Sequence, residues 1–165
     1  FDAVVGNFVL NHVGRPRAVL AELRRVLKPG GRVALTTWGA RRGAGQELFG
    51  RAFAAAEAVV PPDLPRLDPA EDFVRTADGF AELLREAGFA DARAVGLEWD
   101  HRTTVDEWWS GPEAGVATAG LVVTSQEPGT VVRIRQEYER LAGEFAVGEH
   151  ESALPHIALL ACGRA

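Results

Sequence analysis

The chain has 165 residues, among them no methionine, one cysteine, one tyrosine and four histidines. Each shortage closes off a possibility. A lone cysteine forbids an internal disulfide, and Cys162 lies in an apolar stretch that reads as the setting of a buried structural thiol. No histidines, cysteines and acids cluster at ligand spacing, so no metal site is expected. Serine occurs only at Ser110, Ser125 and Ser152, none of them in a G-x-S-x-G elbow, which argues against a serine hydrolase. The longest clean apolar run, Ile157 to Cys162, is far too short to cross a bilayer, so no membrane is expected as a partner. Acidic residues outnumber basic ones by 23 to 18, and Arg41-Arg42 and Arg133/Arg135 build no positive stripe. Nucleic acid is therefore not expected as the main ligand. No secretory leader is visible, and the cytoplasm is the default location.

What remains is a composition suited to one packed domain, 47% hydrophobic and 25% charged. Val4 to Phe8 reads as a strand buried on both faces. Pro16 suits the first turn of a helix, and Val19, Leu20, Leu23, Val26 and Leu27 supply its apolar stripe. Arg24, Arg25 and Lys28 favour the negative end of that helix, Pro29 stops it, and Gly30-Gly31 permit a tight reversal. Arg32 to Trp38 is a second strand. A βαβ unit of this kind belongs to a parallel sheet. Because the unit opens at residue 1 with no methionine, it reads as a chain cut in mid-fold.

Further on, Gly43-Ala44-Gly45 leads into a helix expected to run from Leu48 to Val60. It lacks the third glycine of a nucleotide-binding loop and reads as a flexible connector. Pro61, Pro62, Pro65 and Pro69 punctuate an irregular link. Thr76 suits a helix cap and Gly88 a helix end. Val95, Leu97 and Trp99 alternate as in a strand near a sheet edge. Thr104-Val105-Asp106-Glu107 has the form of a capping box ahead of Trp108 and Trp109. Pro128 opens a longer helix, and Pro155 to Gly163 reads as a central strand. The fold class is α/β, about half of a doubly wound sheet. Ligands of such sheets bind beyond the carboxyl ends of the strands. There Asn7, Asn11, His12 and Thr37 have polar reach, and Trp38 offers a flat wall.

The order Phe1-Asp2-x-Val4-Val5, Leu10-x-His12-Val13, Pro16, and Leu20-x-Glu22-Leu23-x-Arg25-Val26-Leu27-Lys28-Pro29-Gly30-Gly31-x-Val33 resembles the block around strands four and five of class I S-adenosylmethionine-dependent methyltransferases. More narrowly, it is similar to the small-molecule group that includes the ubiquinone/menaquinone biosynthesis enzymes. The resemblance implies strands four to seven of a seven-stranded Rossmann-like sheet. Residues 1–100 and 154–165 would form the sheet and its helices, with helical insertions or a lid at 40–75 and 103–150. The last strand would run antiparallel between the second and third.

What the resemblance implies for function is methyl transfer from S-adenosylmethionine to an O, N or C nucleophile of a small-molecule acceptor. The family's Gly-rich loop and ribose-binding acid would precede Phe1, so the isolated chain is expected to be inactive. Asn7, Phe8 and Val9 would approach the cofactor, although Asn7 could equally satisfy local backbone. His12 would act as a general base in transfers that remove a proton, or else serve the structure at the start of the helix. An acidic partner for it at the end of strand five is replaced by Thr37. Trp38, Trp108 and Trp109 would line the acceptor pocket, or else pack a lid. A non-catalytic fragment or interaction domain is the alternative reading. Oligomeric state stays open.

Overall fold

The structure, a computed structural model, describes residues 1–64 and 66–165. Pro65, one of the prolines expected in the irregular link, lies outside the described residues. The chain divides into two compact units, each discontinuous in sequence. One holds Phe1–Arg42, Arg66–Glu98 and Ile157–Ala165, and the other Gly43–Pro65 and Trp99–His156.

In the first unit, β1 (Ala3–Gly6) pairs in parallel with β2 (Arg32–Trp38), Val4 facing Val33. Between them come a 3₁₀ turn (Val9–His12) and α1 (Pro16–Val26), with Pro16 in the first turn and Arg24 and Arg25 in the last. At the reversal Gly30 takes φ +77°, and a Cβ on Gly31 would sit 2.9 Å from the Lys28 carbonyl. Both glycines of the Lys-Pro-Gly-Gly sequence are thus required by backbone geometry. The first strand stops earlier than the expected Phe8. Phe8 swings to φ +55°, and its N–H is taken by the Thr36 hydroxyl at 2.9 Å.

The strand order is β1-β2-β5-β3, where β3 is Ala90–Thr103 and β5 is Glu151–Arg164. β5 runs antiparallel to β2, with Thr36 opposite Leu160. The last strand therefore occupies the expected place between the second and third. α3 (Ala77–Glu86) is capped by the Thr76 hydroxyl, which accepts the Gly79 N–H at 3.1 Å, and Gly88 follows its end at φ +84°. Leu10, Leu20, Val33, Leu35, Phe80, Leu83, Leu84 and Leu159 make the core of this unit. Val95 and Leu97, on the terminal strand of the order, stay exposed.

The second unit is mainly helical: α2 (Ala44–Ala55), α4 (Val105–Glu113), α5 (Ala117–Thr124) and α6 (Pro128–Ala142). A 3₁₀ turn (Gly143–Phe145) leads to β4 (Ala146–Val147), which pairs with Glu151–Ser152. Its core is built from Leu48, Ala52, Phe53, Trp109, Val122, Val123, Ile134, Tyr138, Leu141 and Leu154.

Several expectations need correction here. α2 ends at Ala55 rather than Val60. Glu57 turns left-handed at φ +54° and the Ala58 N–H closes back on the Phe53 carbonyl at 2.9 Å, which leaves Val59 and Val60 exposed. The helical segment expected after Thr104 is α4, which carries Trp108 and Trp109 and is followed by Gly115 at φ +79°. Only half of the capping box forms. The Thr104 hydroxyl accepts the Glu107 N–H at 3.1 Å, while the Glu107 carboxylate turns to the Thr103 hydroxyl. Gly43 and Gly45 are no flexible connector. Both are buried, and a Cβ would lie 2.2 Å from the Pro155 carbonyl oxygen at Gly43 and 2.6 Å from Leu154 at Gly45. Their role is close packing of backbone on backbone.

Candidate functional site

At the carboxyl ends of β1 and β2 the chain collects polar side chains in two short relays. In the first, the Thr36 hydroxyl donates to Asn7 Oδ1 at 2.6 Å while accepting the Phe8 N–H. The resulting left-handed Phe8 stacks its ring on Trp38, with centroids 4.0 Å apart and planes at 28°. A non-glycine residue at positive φ is uncommon and persists where surrounding contacts dictate it.

In the second relay, fully buried Thr37 donates its hydroxyl to Asn11 Oδ1 at 2.7 Å, and the Trp38 N–H points to the same oxygen at 3.4 Å. Arg75 donates to Thr37 Oγ1 at 3.4 Å and to Asp72 Oδ1 at 3.3 Å. The Ala40 N–H, donating to the Arg75 carbonyl at 2.8 Å, ties that segment to the end of β2. The Asn11 Nδ2 group is buried and meets no acceptor among the described residues. His12 ends the 3₁₀ turn, exposed, beside Asn11.

The second unit gathers aromatic rings and imidazoles. Trp109, 3% exposed, sits with Phe49 and Tyr138, whose rings stack at 5.0 Å and 2°. The Tyr138 hydroxyl donates to the Val105 carbonyl at 2.7 Å, and burial drives its pKa upward. Trp108 lies beside His101 (4.8 Å) and His156 (5.5 Å), its indole N–H buried without an acceptor among the described residues. His156 is buried, with Nδ1 2.7 Å from the Leu154 carbonyl, so the neutral ring carries its proton on Nδ1. Burial lowers its pKa most, and the neighbouring His101 adds to the lowering, against the pull of the carbonyl. Among the described residues no group of side chains has the makings of a metal site.

Residues 1–35, which contain β1, the 3₁₀ turn, α1 and the start of β2, match the family model of the methyltransferase domain. The chain resembles class I methyltransferases. Over 118 residues it is 33% identical to a ubiquinone/menaquinone biosynthesis C-methyltransferase of Desulfotalea psychrophila, covering 60% of this chain and 46% of that protein. The methyltransferase-like chain thus spans about half the length of the curated relative it matches. Among solved structures, YcgJ of Bacillus subtilis aligns with 100% of this chain and 64% of its own, at 15% identity and TM-score 0.47. Phosphoethanolamine N-methyltransferase 2 of Haemonchus contortus, solved with S-adenosyl-L-methionine, aligns over 99% of this chain and 33% of its own, at 14% identity and TM-score 0.42.

In this methyltransferase-like chain the structure brings Asn7, Phe8, Val9, His12 and Trp38 together in the first unit, all on or beside the strand ends. Trp108 and Trp109 belong to the second unit. Trp109 is a core ring, whereas Trp108 is half-buried. Thr37, standing where an acid could have oriented His12, gives its hydroxyl to Asn11 instead. Sequence reasoning missed Arg75, which reaches the strand ends from a distant loop and carries no local motif.

Proposed function

We propose that this chain is part of an enzyme that transfers a methyl group from S-adenosylmethionine to an O, N or C nucleophile of a small molecule. The observation that carries the reading is the strand-end wall of Asn7, Phe8 and Val9, set within the block that matches the methyltransferase domain. These residues fit the cofactor's approach. Asn7 is exposed, the neighbouring Asn11 holds a buried N–H pair without an acceptor among the described residues, and Phe8 and Trp38 make a stacked aromatic wall. When bound, S-adenosylmethionine supplies an electrophilic methyl group on sulfur. The chain's own part is to hold and shield. Asn7 and the backbone of Phe8 and Val9 position, the Phe8–Trp38 pair excludes water, and exposed His12 can take a proton from an acceptor that must lose one.

Calorimetry tests the reading. The 165-residue chain alone should show no micromolar affinity for S-adenosylmethionine. A longer polypeptide that adds a Gly-rich strand-loop-helix ahead of Phe1 should bind it and transfer methyl to an acceptor. In that polypeptide His12→Ala should slow only transfers that remove a proton. Failure of the longer polypeptide to bind the cofactor would overturn the proposal.

A further inference from the structure

The second relay at the strand ends holds one donor group, the Asn11 NH₂, that no acceptor among the described residues receives. Asn11 Oδ1 accepts from Thr37 and faces the Trp38 N–H, a donor only, so the amide orientation is fixed and Nδ2 points away from both. That NH₂ is buried and lacks a protein acceptor among the described residues. A buried donor left unpaired is destabilising, and native structures tolerate few of them. Arg75 adds a permanent cation to the same cluster through its contact with Thr37 Oγ1. Its guanidinium is steadied by the Phe73 ring at 4.6 Å and by Asp72, yet its hydrogen bonds to Thr37 and Asp72 are long, 3.4 and 3.3 Å. A planar five-donor fork bonded so loosely keeps capacity for a further oxygen.

We infer that Asn11 and Arg75, joined through Thr37, form a carboxylate-binding subsite at the ends of β1 and β2. A carboxylate offers lone pairs to both the Asn11 NH₂ and the guanidinium, and it adds to the charge balance that Asp72 gives Arg75 at 3.3 Å. The bearer of that carboxylate rests on the methyl-transfer reading, being either the acceptor molecule or the amino-acid tail of the cofactor. The binding test needs no turnover.

The sequence contains two asparagines, Asn7 and Asn11. Selective ¹⁵N-asparagine labelling therefore yields two side-chain NH₂ signals, and Asn7→Gln identifies which belongs to Asn11. Titration of the chain with benzoate should move the Asn11 pair saturably in the millimolar range, leaving it still with benzyl alcohol. Arg75→Gln should abolish the shift, and Arg75→Lys should retain a weaker one. In the longer polypeptide that binds the cofactor, if S-adenosylhomocysteine moves the same pair and competes with benzoate, the carboxylate is the cofactor's; if only benzoate moves it there, the carboxylate is the acceptor's. The inference is overturned if the Asn11 pair ignores both carboxylates, responds equally to benzyl alcohol, or still shifts in Arg75→Gln. An unmoved Asn11 leaves the methyl-transfer reading standing, and failed methyl transfer leaves the carboxylate subsite standing.

Discussion

Two tryptophans show how the two units differ. Trp38, in the first unit, ends a strand half-buried, with its ring on Phe8 and its backbone N–H turned to Asn11. Trp109, in the second, is 3% exposed among Phe49, Tyr138 and the Arg135 guanidinium. The first unit keeps polar groups at strand ends, where Thr36 and Thr37 each bond an asparagine. The second spends its rings on packing and ties Tyr138 to a backbone carbonyl. An aromatic residue in a sequence can serve either purpose. Only the polar company it keeps tells the two apart.

That contrast can be tested by substitution, starting where the effect should be greatest. Tyr138→Ala removes a fully buried ring from the second core and should cost about 3–5 kcal/mol in denaturant unfolding. Tyr138→Phe, which loses only the bond to Val105, should cost about 1 kcal/mol. Equal losses would mean that the hydrogen bond, not the packing, holds this unit. Gly43→Ala pushes a methyl into the Pro155 carbonyl and should cost about 1–3 kcal/mol, with a lowered melting temperature as the readout. A neutral result would restore the flexible-connector reading of that loop. In the first unit Thr37→Val should cost about 1 kcal/mol, since Asn11 keeps only the long contact from Trp38.

The smallest effect concerns pH. Folding holds His156 below its ordinary pKa of 6.5, chiefly through burial. As pH falls through that ordinary value the unfolded chain takes up the proton first, so the contribution to stability is complete above it. The contribution is lost on acidification until the folded imidazole protonates too. Melting curves between about pH 7.5 and about pH 5 should therefore fall more steeply for the native sequence than for His156→Gln. Parallel slopes would show that burial does not keep this ring neutral.

The first unit was the more legible. Pro16, the Arg24/Arg25 pair and the Lys-Pro-Gly-Gly turn each impose a local geometry, so α1 and the strands beside it could be read with little knowledge of tertiary contacts. The 3₁₀ turn at Val9–His12 escaped because Val, Leu and Phe continue a strand pattern. What ends β1 is a hydroxyl from another strand, Thr36. In the second unit the apolar stripe continues past Ala55 to Val60, but the chain leaves the helix at a left-handed Glu57 that no propensity marks. At the site, Asn7, His12 and Trp38 could be named from their place at the strand ends. Arg75 could not, because its position is fixed by Ala40 and Thr37, contacts made only after folding.

The seat of β5 between β2 and β3 bears on how the protein is made. As the nascent polypeptide leaves the ribosome, β2 and then β3 emerge without the neighbour that each will eventually bond. The backbone groups of Arg32–Trp38 on that side must wait for Ala158–Arg164. β5 thus arrives after both of its neighbours, and its pairing with β2 is among the most distant in the chain. Such closure is slow and leaves open edges during synthesis. A ribosome stalled before Ile157 would hold a chain with most of its helices in place and a gap through the middle of its sheet, a natural client for a chaperone that shields exposed strands.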